Sequence, residues 1–514
     1  MTYDYIIVGA GSAGCVLANR LTADGTTRVL LLEAGGSDRH FWLQLPVGYY
    51  RTIFDTRFSR LFDTEPCEGT AGRNVIWPRG RVIGGSSSIN GLVYIRGHPS
   101  DFDDWARAGA TGWSYKEVVP FFERLEATLI PSDLRNDHSC CNAWIEAGKH
   151  YGLPFNANFN HETTFGVGPY QLTIKDGWRN SAARAFLKPA LSRSHLTLRS
   201  NAHVTRLLFE GTTAVGVEWM EGGAVREARA EREVLLAAGA IQSPQILQLS
   251  GIGPANVLEP HGIRVVADLA GVGENLMDHY QSRVVVKLKD RISLNDDVRN
   301  PLRLLSMGVE WMFRNSGPLT AGAGQVGAAI CTEHAKGSRP DVQLLVMPLS
   351  VDKPGEPLHR YSGFKTAAWQ CVPESRGRLT IRSPDPLAPP RIETRYLSQE
   401  ADRKALVAAL RIARNIYEQE PFRKLWEAET VPGAERASDA DLLDYAKRTG
   451  GTVFHASGTC RMGTDDGAVV DPELRVRGIE RLRVIDASVM PNVTSANTNA
   501  AALMIGEKGA ALLK

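Results

Sequence analysis

The N-terminal segment YDYIIVGAGSAGCVLANRL sets Gly9, Gly11 and Gly14 between an apolar run, Tyr5 to Val8, and a stretch of helix-like residues. Few folds accept that arrangement. A buried strand that turns sharply into a helix uses the first glycine for the turn. The second lets backbone approach a pyrophosphate, and the third lets the helix pack closely on the sheet. Unpaired N–H groups at the helix start then face the anion. Nineteen residues after Gly14, Glu33 closes a second apolar run in VLLLEAGG. A carboxylate there accepts hydrogen bonds from ribose hydroxyls and repels a 2′-phosphate, which favours FAD or NAD over NADP.

The rest of the chain is compatible with such a domain and leaves room for more. Its 514 residues allow two to four domains, and its 43% hydrophobic content is that of an ordinary globular protein. The 59 Lys and Arg residues nearly balance the 57 Asp and Glu residues, for a formal charge of +2. That excludes a global electrostatic bias toward nucleic acid or acidic membranes and makes a small-molecule partner the expectation. No basic region followed by an apolar one opens the chain, and no run of about eighteen apolar residues occurs. The expectation is a soluble, cytoplasmic protein with no integral membrane segment. Cys15, Cys67, Cys140, Cys141, Cys331, Cys371 and Cys460 are scattered and contain no C-x-x-C pair, so neither a disulfide framework nor a metal site is expected. Adjacent Cys140 and Cys141 read as two thiols in a loop-to-helix segment.

The first 36 residues read strand, helix, strand. A third apolar run, Arg232 to Ala238, again ends in small residues before a helix-like segment, a parallel-sheet signal. His195 to Gly223 alternates apolar and polar residues around Gly-containing turns and predicts antiparallel strands inserted in the nucleotide domain. From about residue 282 to 450 the character changes to strand-like SRVVVKLK and DVQLLVMPLS, Pro-rich RSPDPLAPPRIE and the periodic helix ADRKALVAALRIARNIYEQ. This predicts a second domain that shapes the substrate site. Motif-dense sequence returns from Val453 to Ala510, with strand-like LRVIDASVMP and helical NAAALMIGEKGAALL.

Four further segments share one pattern: GRVIGGSSSING (Gly80 to Gly91), GAIQSPQILQLSGIG (Gly239 to Gly253), HASGTCRMG (His455 to Gly463) and NTNAAALMIGEKGA (Asn497 to Ala510). With them the chain resembles the glucose-methanol-choline family of flavin oxidoreductases over essentially its full length. The resemblance implies an α/β fold. Its Rossmann-like FAD-binding domain is expected over residues 1–155, 195–281 and 453–514, and a substrate-binding domain over 156–194 and 282–452, on a mixed or antiparallel sheet flanked by helices. Cofactor contacts are expected from Gly9, Gly11, Ser12, Ala13, Gly14, Glu33 and Ala34 and from Arg81, Gly84, Gly85, Ser86, Asn90 and Gly91. Val204, Ala238, Gly239, Asp486, Ala487, Asn497 and Thr498 complete that expected set. Small residues in GRVIGGSSSING let backbone and hydroxyls lie flat against a planar ring. Some relatives attach FAD covalently through a histidine in this segment, and the position that matches is Ile89, so non-covalent FAD is expected.

The resemblance makes His455 and Asn499, 44 positions apart, the catalytic pair. His455, neutral and near its ordinary pKa of about 6.5, is expected to take the alcohol proton while Asn499 fixes the oxygen and hydride passes to flavin N5. Val453 and Phe454 are expected on the substrate wall. The implied activity is oxidation of a primary alcohol to an aldehyde, with O2 or a quinone-type acceptor taking the electrons. Uncharged alcohols are preferred among aryl, furanic and pyridoxine-like alcohols and polyols. An FAD-containing hydroxynitrile lyase is the alternative from another class; a non-catalytic FAD protein or an NAD enzyme accounts for fewer of the motifs.

Overall fold

The computed structural model describes residues 2–161, 163–352 and 355–513. Two seven-stranded sheets organise the chain. The first holds β1 (Thr2–Val8), β2 (Val29–Glu33), β3 (Leu196–Ser200), β4 (Ala202–Glu210), β5 (Thr213–Glu221), β6 (Ala224–Leu236) and β7 (Leu482–Val484). Its order is β3-β2-β1-β6-β5-β4, with β7 paired to β6. The β3, β2, β1, β6 and β7 neighbours are parallel, and β4, β5 and β6 form an antiparallel meander. β1 and β2 are continuous apolar runs because both faces are covered, and Ile6, Ile7 and Leu31 are fully buried.

One expectation changes here. The segment from His195 to Gly223 is not antiparallel throughout, because Leu196–Ser200 pairs in parallel with β2. Alternation marks a strand with one covered face but carries no sign of its direction.

Helices leave the strands where the glycines allow it. α1 (Ser12–Leu21) follows β1, α2 (Gly239–Leu249) follows β6, and α3 (Asn499–Ala511) lies beyond β7. Gly9 has φ +103°, and a Cβ on Gly14 would stand 1.9 Å from the Gly9 carbonyl oxygen, so α1 lies against the turn only with hydrogen at that position. α3 approaches α1 equally closely, since a Cβ on Gly506 would meet the Ala13 Cα at 2.8 Å.

The second sheet is antiparallel, in the order Trp426–Val431, Tyr280–Leu288, Gly363–Gln370, Val342–Met347, Val326–Ile330 and Gly166–Pro169. Gly451–Thr452 adds to it beside Tyr280 and Gln281. The helix Glu400–Glu418 covers one face, burying Leu406, Leu410, Ala413 and Ile416 with Val284, Val286, Phe364 and Ala368. The other face is left to form a cavity wall.

The described cysteines are all free thiols, and Cys140 and Cys141 lie inside the helix Ser139–His150, where burial pushes both thiols up. Among the described residues no cluster suited to a metal ion occurs, and no helix is long and apolar enough to cross a membrane.

Candidate active site

A cleft opens where β1, β2 and β6 end, lined by Val8, Glu33 and Ala237 and by the start of α1. This is where a parallel sheet leaves room for a ligand, beyond the carboxyl ends of its strands. The first N–H groups of α1 have no partner within the helix, and Gly11, Ser12 and Ala13 present that end to the cleft. Glu33 Oε2 accepts from Ala10 N at 2.9 Å and Oε1 from Gly35 N at 2.8 Å, while burial pushes the carboxyl up to about 7. A second cavity lies against the second sheet. The two spaces share Ser12, Arg79, Ser86, Ala487 and Ala502 as a common wall.

The residues singled out in the sequence divide between these spaces. Gly9, Ala34, Arg81, Gly85, Val204, Ala238, Gly239 and Asp486 line the cleft. Asn90, Gly91, Val453, Phe454, His455, Asn497, Thr498 and Asn499 line the cavity. Gly14 and Gly84 line neither. Gly14 is taken up by the contact of α1 with the turn below it, and Gly84 is pinned through its N–H to the Ala10 carbonyl, 2.7 Å away. Asp486 Oδ2 accepts from Gly239 N and Ser243 Oγ, and Oδ1 from Ser488 N, so this carboxylate ties the start of α2 to the turn after β7.

His455 is only 7% exposed and is held by groups that no sequence spacing announces. Its backbone N–H donates to Asp278 Oδ1 at 2.7 Å, and Asp278 in turn accepts from the Tyr396 hydroxyl. Phe454, just before it, sits at φ +69°, a conformation that costs a non-glycine residue free energy. Its N–H donates to Thr452 Oγ1 and its carbonyl accepts from Arg79 Nη1, which together hold it there.

The ring contacts fix the proton. His279 Nε2 lies 2.9 Å from the Cys371 carbonyl, which only accepts, so Nε2 carries the hydrogen. Burial pushes His279 down to about 4, so it is neutral and its Nδ1 is bare. That nitrogen lies 2.8 Å from His455 Nδ1, which must be the donor. His455 is neutral as well: burial, then His279 and Arg79, hold it well below its ordinary value, which corrects the expected pKa near 6.5. Its Nε2 is therefore a lone pair, and Asn497 Nδ2 donates to it at 3.2 Å. The amide beside His455 is thus Asn497, whereas Asn499 Oδ1 accepts from Ser12 Oγ at 2.7 Å and keeps Nδ2 as its donor.

A cleft at the carboxyl ends of a parallel sheet, sharing a wall with a mostly apolar cavity that holds a neutral imidazole, is the arrangement expected of a dinucleotide-dependent oxidoreductase. Profiles of the GMC oxidoreductase family match residues 3–281 with an N-terminal part and 373–506 with a C-terminal part. The oxygen-dependent choline dehydrogenase of Photobacterium profundum is 40% identical over 529 residues, spanning 99% of this chain and 92% of that protein. The alcohol dehydrogenase (acceptor) of Pseudomonas putida is 37% identical over 527 residues, spanning 99% and 95%. The crystal structure of pyridoxine 4-oxidase from Mesorbium loti superposes with a TM-score of 0.88 at 31% identity, covering 99% of this chain and 98% of that one. The chain belongs to the GMC oxidoreductase family and is an FAD-dependent oxidoreductase.

The residues present fit that cofactor. The start of α1 and the Glu33 carboxylate line one space, and Ser12, Ser86 and Ala487 border both it and the neighbouring cavity. Asn497 Oδ1 is buried with no partner among the described residues, an acceptor left over for a bound group.

Proposed function

We infer that the protein oxidises a primary alcohol to an aldehyde, with His455 Nε2 as the base. One observation carries this reading: the Cys371, His279, His455 chain of hydrogen bonds leaves the lone pair of a neutral imidazole beside the cavity. His455 Nε2 takes the hydroxyl proton, with Asn499 Nδ2 as donor to the alcohol oxygen and Val453 and Phe454 as wall. Arg79, Asp278 and Thr452 hold the Phe454–His455 backbone in register. FAD bound in the cleft supplies the two-electron oxidising chemistry for the carbon-bound hydrogen. Electrons then leave to O2 or to a quinone-type acceptor. The FAD-binding domain is assigned to residues 1–155, 195–281 and 453–514, and the substrate-binding domain to 156–194 and 282–452.

The test is an anaerobic screen of primary alcohols for loss of the oxidised flavin band, followed by admission of air. Bleaching supports the reading, and rapid return of the band in air marks O2 as the acceptor. No bleaching by any alcohol overturns it.

The depressed pKa of His455 has a kinetic consequence. An ordinary histidine gains a proton as pH falls through about 6.5 and stops acting as a base. Here protonation is displaced to lower pH. The rate of anaerobic flavin reduction is expected to stay level between about pH 8 and pH 6. A decline with its midpoint near 6.5, seen by stopped-flow absorbance, would contradict this assignment.

Ile89 lines the cavity where some relatives carry a linking histidine, and an alkyl side chain forms no bond to a flavin. Acid precipitation of the holoenzyme is therefore expected to leave the supernatant yellow and the pellet colourless.

A further inference from the structure

One wall of the substrate cavity is the sheet face turned away from the helix Glu400–Glu418. Side chains alternate along a strand. Phe364 and Ala368 join the helix-side core and Thr366 Oγ1 meets the Tyr417 hydroxyl of that helix at 2.6 Å, whereas Lys365, Ala367 and Trp369 face the cavity with Leu345 and Met347. Lys365 is 7% exposed, and it makes neither a hydrogen bond nor an ion pair among the described residues. No aspartate or glutamate lines this cavity among the described residues. The guanidinium of Arg79 is turned to the Phe454 carbonyl and His455 is neutral, so Lys365 is the cation this wall offers a ligand. The same cavity is lined by apolar groups, among them Ile53, Leu349 and Val351.

An unpartnered ammonium in such a place is unfavourable until something anionic joins it. Burial, reinforced by Arg283 on the neighbouring strand, pushes Lys365 down to about 7, the direction expected of a cation short of a counter-charge. Its position also separates it from the reacting end. Trp369 pairs with Gln281, whose amide donates to the Thr452 carbonyl at the approach to His455. Four residues of extended strand set the Lys365 Cα roughly 13 Å from that of Trp369. Lys365 and His455 therefore line one cavity from different elements, and one ligand can meet both.

We propose that Lys365 binds a carboxylate on the substrate, and that the substrate class is a primary alcohol whose apolar chain ends in a carboxylate. A single ammonium among alkyl groups matches a monoanion, whereas a phosphate dianion calls for more donors than this wall supplies. The assignment rests on reading His455 as the alcohol base. It departs from the uncharged alcohol expected from sequence and from a choline-type cation, which the Lys365 ammonium repels in a cavity whose described lining holds no carboxylate.

The test begins with binding. The FAD-loaded enzyme is titrated with heptanoate, heptylammonium and heptanol, and each affinity is read from the rise in unfolding midpoint. Heptanoate is expected to bind at least about 10-fold tighter than heptylammonium, the size of one charge-assisted hydrogen bond. In Lys365→Met the preference for heptanoate over heptanol is expected to fall by about the same factor, and Lys365→Arg is expected to keep it. Equal affinity for the two ions, or an unchanged preference in Lys365→Met, overturns the assignment. Turnover separates the two readings. If ω-hydroxyheptanoate and heptanol are oxidised with equal kcat/KM, Lys365 is no anchor and the role of His455 stands. If ω-hydroxyheptanoate binds as heptanoate does yet never reduces the flavin, the oxidation reading falls and the anion site remains.

Discussion

His455→Ala is expected to slow anaerobic flavin reduction by at least about 10²-fold, the usual contribution of a positioned general base. FAD content should stay at the wild-type level, because His455 lines the substrate cavity and not the cleft between β1, β2 and β6. The loss follows from the protonation pattern. With His455 Nδ1 donating to His279 and Nε2 unprotonated, its lone pair met only by the Asn497 amide, the imidazole is the neutral acceptor in the cavity. Arg79 and the nearest amides, Asn497 and Asn499, are poor substitutes, since an amide nitrogen donates and a guanidinium stays charged. Truncation to alanine also opens space for water, which takes the alcohol proton without the fixed geometry that holds His455. Stopped-flow reduction of the purified variant by a bleaching alcohol measures the effect, and an undiminished rate removes His455 from the mechanism.

The parts of this site that could be read from sequence are those whose physics is local. Gly9, Gly11 and Glu33 announce the cleft because a turn and a helix start lie within a few residues of one another and the next strand ends in an acid nineteen residues after Gly14. Continuous apolar runs likewise identified β1, β2 and the buried half of β6. What escaped was set by tertiary pairing. His279 touches His455 across 176 residues of chain, and nothing in MDHY distinguishes that ring from any histidine at the start of a strand. The depressed pKa of His455 depends on the same burial and could not be seen in HASGTCRMG. Asn497 and Asn499 are both named by NTNAAALMIG, but which amide meets the imidazole is decided by the turn into α3. Lys365 reads as a polar residue on an edge of alternation, and only the register with Met347 and Val285 turns it inward.

His279→Phe tests the hydrogen-bonded support of His455 without touching the reacting atoms. Phenylalanine keeps the planar ring and its packing but removes the acceptor for His455 Nδ1–H and the donor to the Cys371 carbonyl. His455 is then free to turn, and to carry its hydrogen on Nε2, where it has no lone pair for the alcohol. Flavin reduction is expected to fall by about 10- to 100-fold, the effect of removing a group that orients a working histidine. KM should change little, since His279 is not among the residues lining the cavity. Stability also falls, because a buried N–H and a buried carbonyl each lose a partner at about 1–3 kcal/mol apiece. Stability alone does not predict the second half of the test, which is a double-mutant cycle. If His279 acts through His455, then His279→Phe costs almost nothing further in a His455→Ala background, because the group it positions is gone. Full additivity of the two losses would make His279 a packing residue and leave the tautomer of His455 to be set by the substrate.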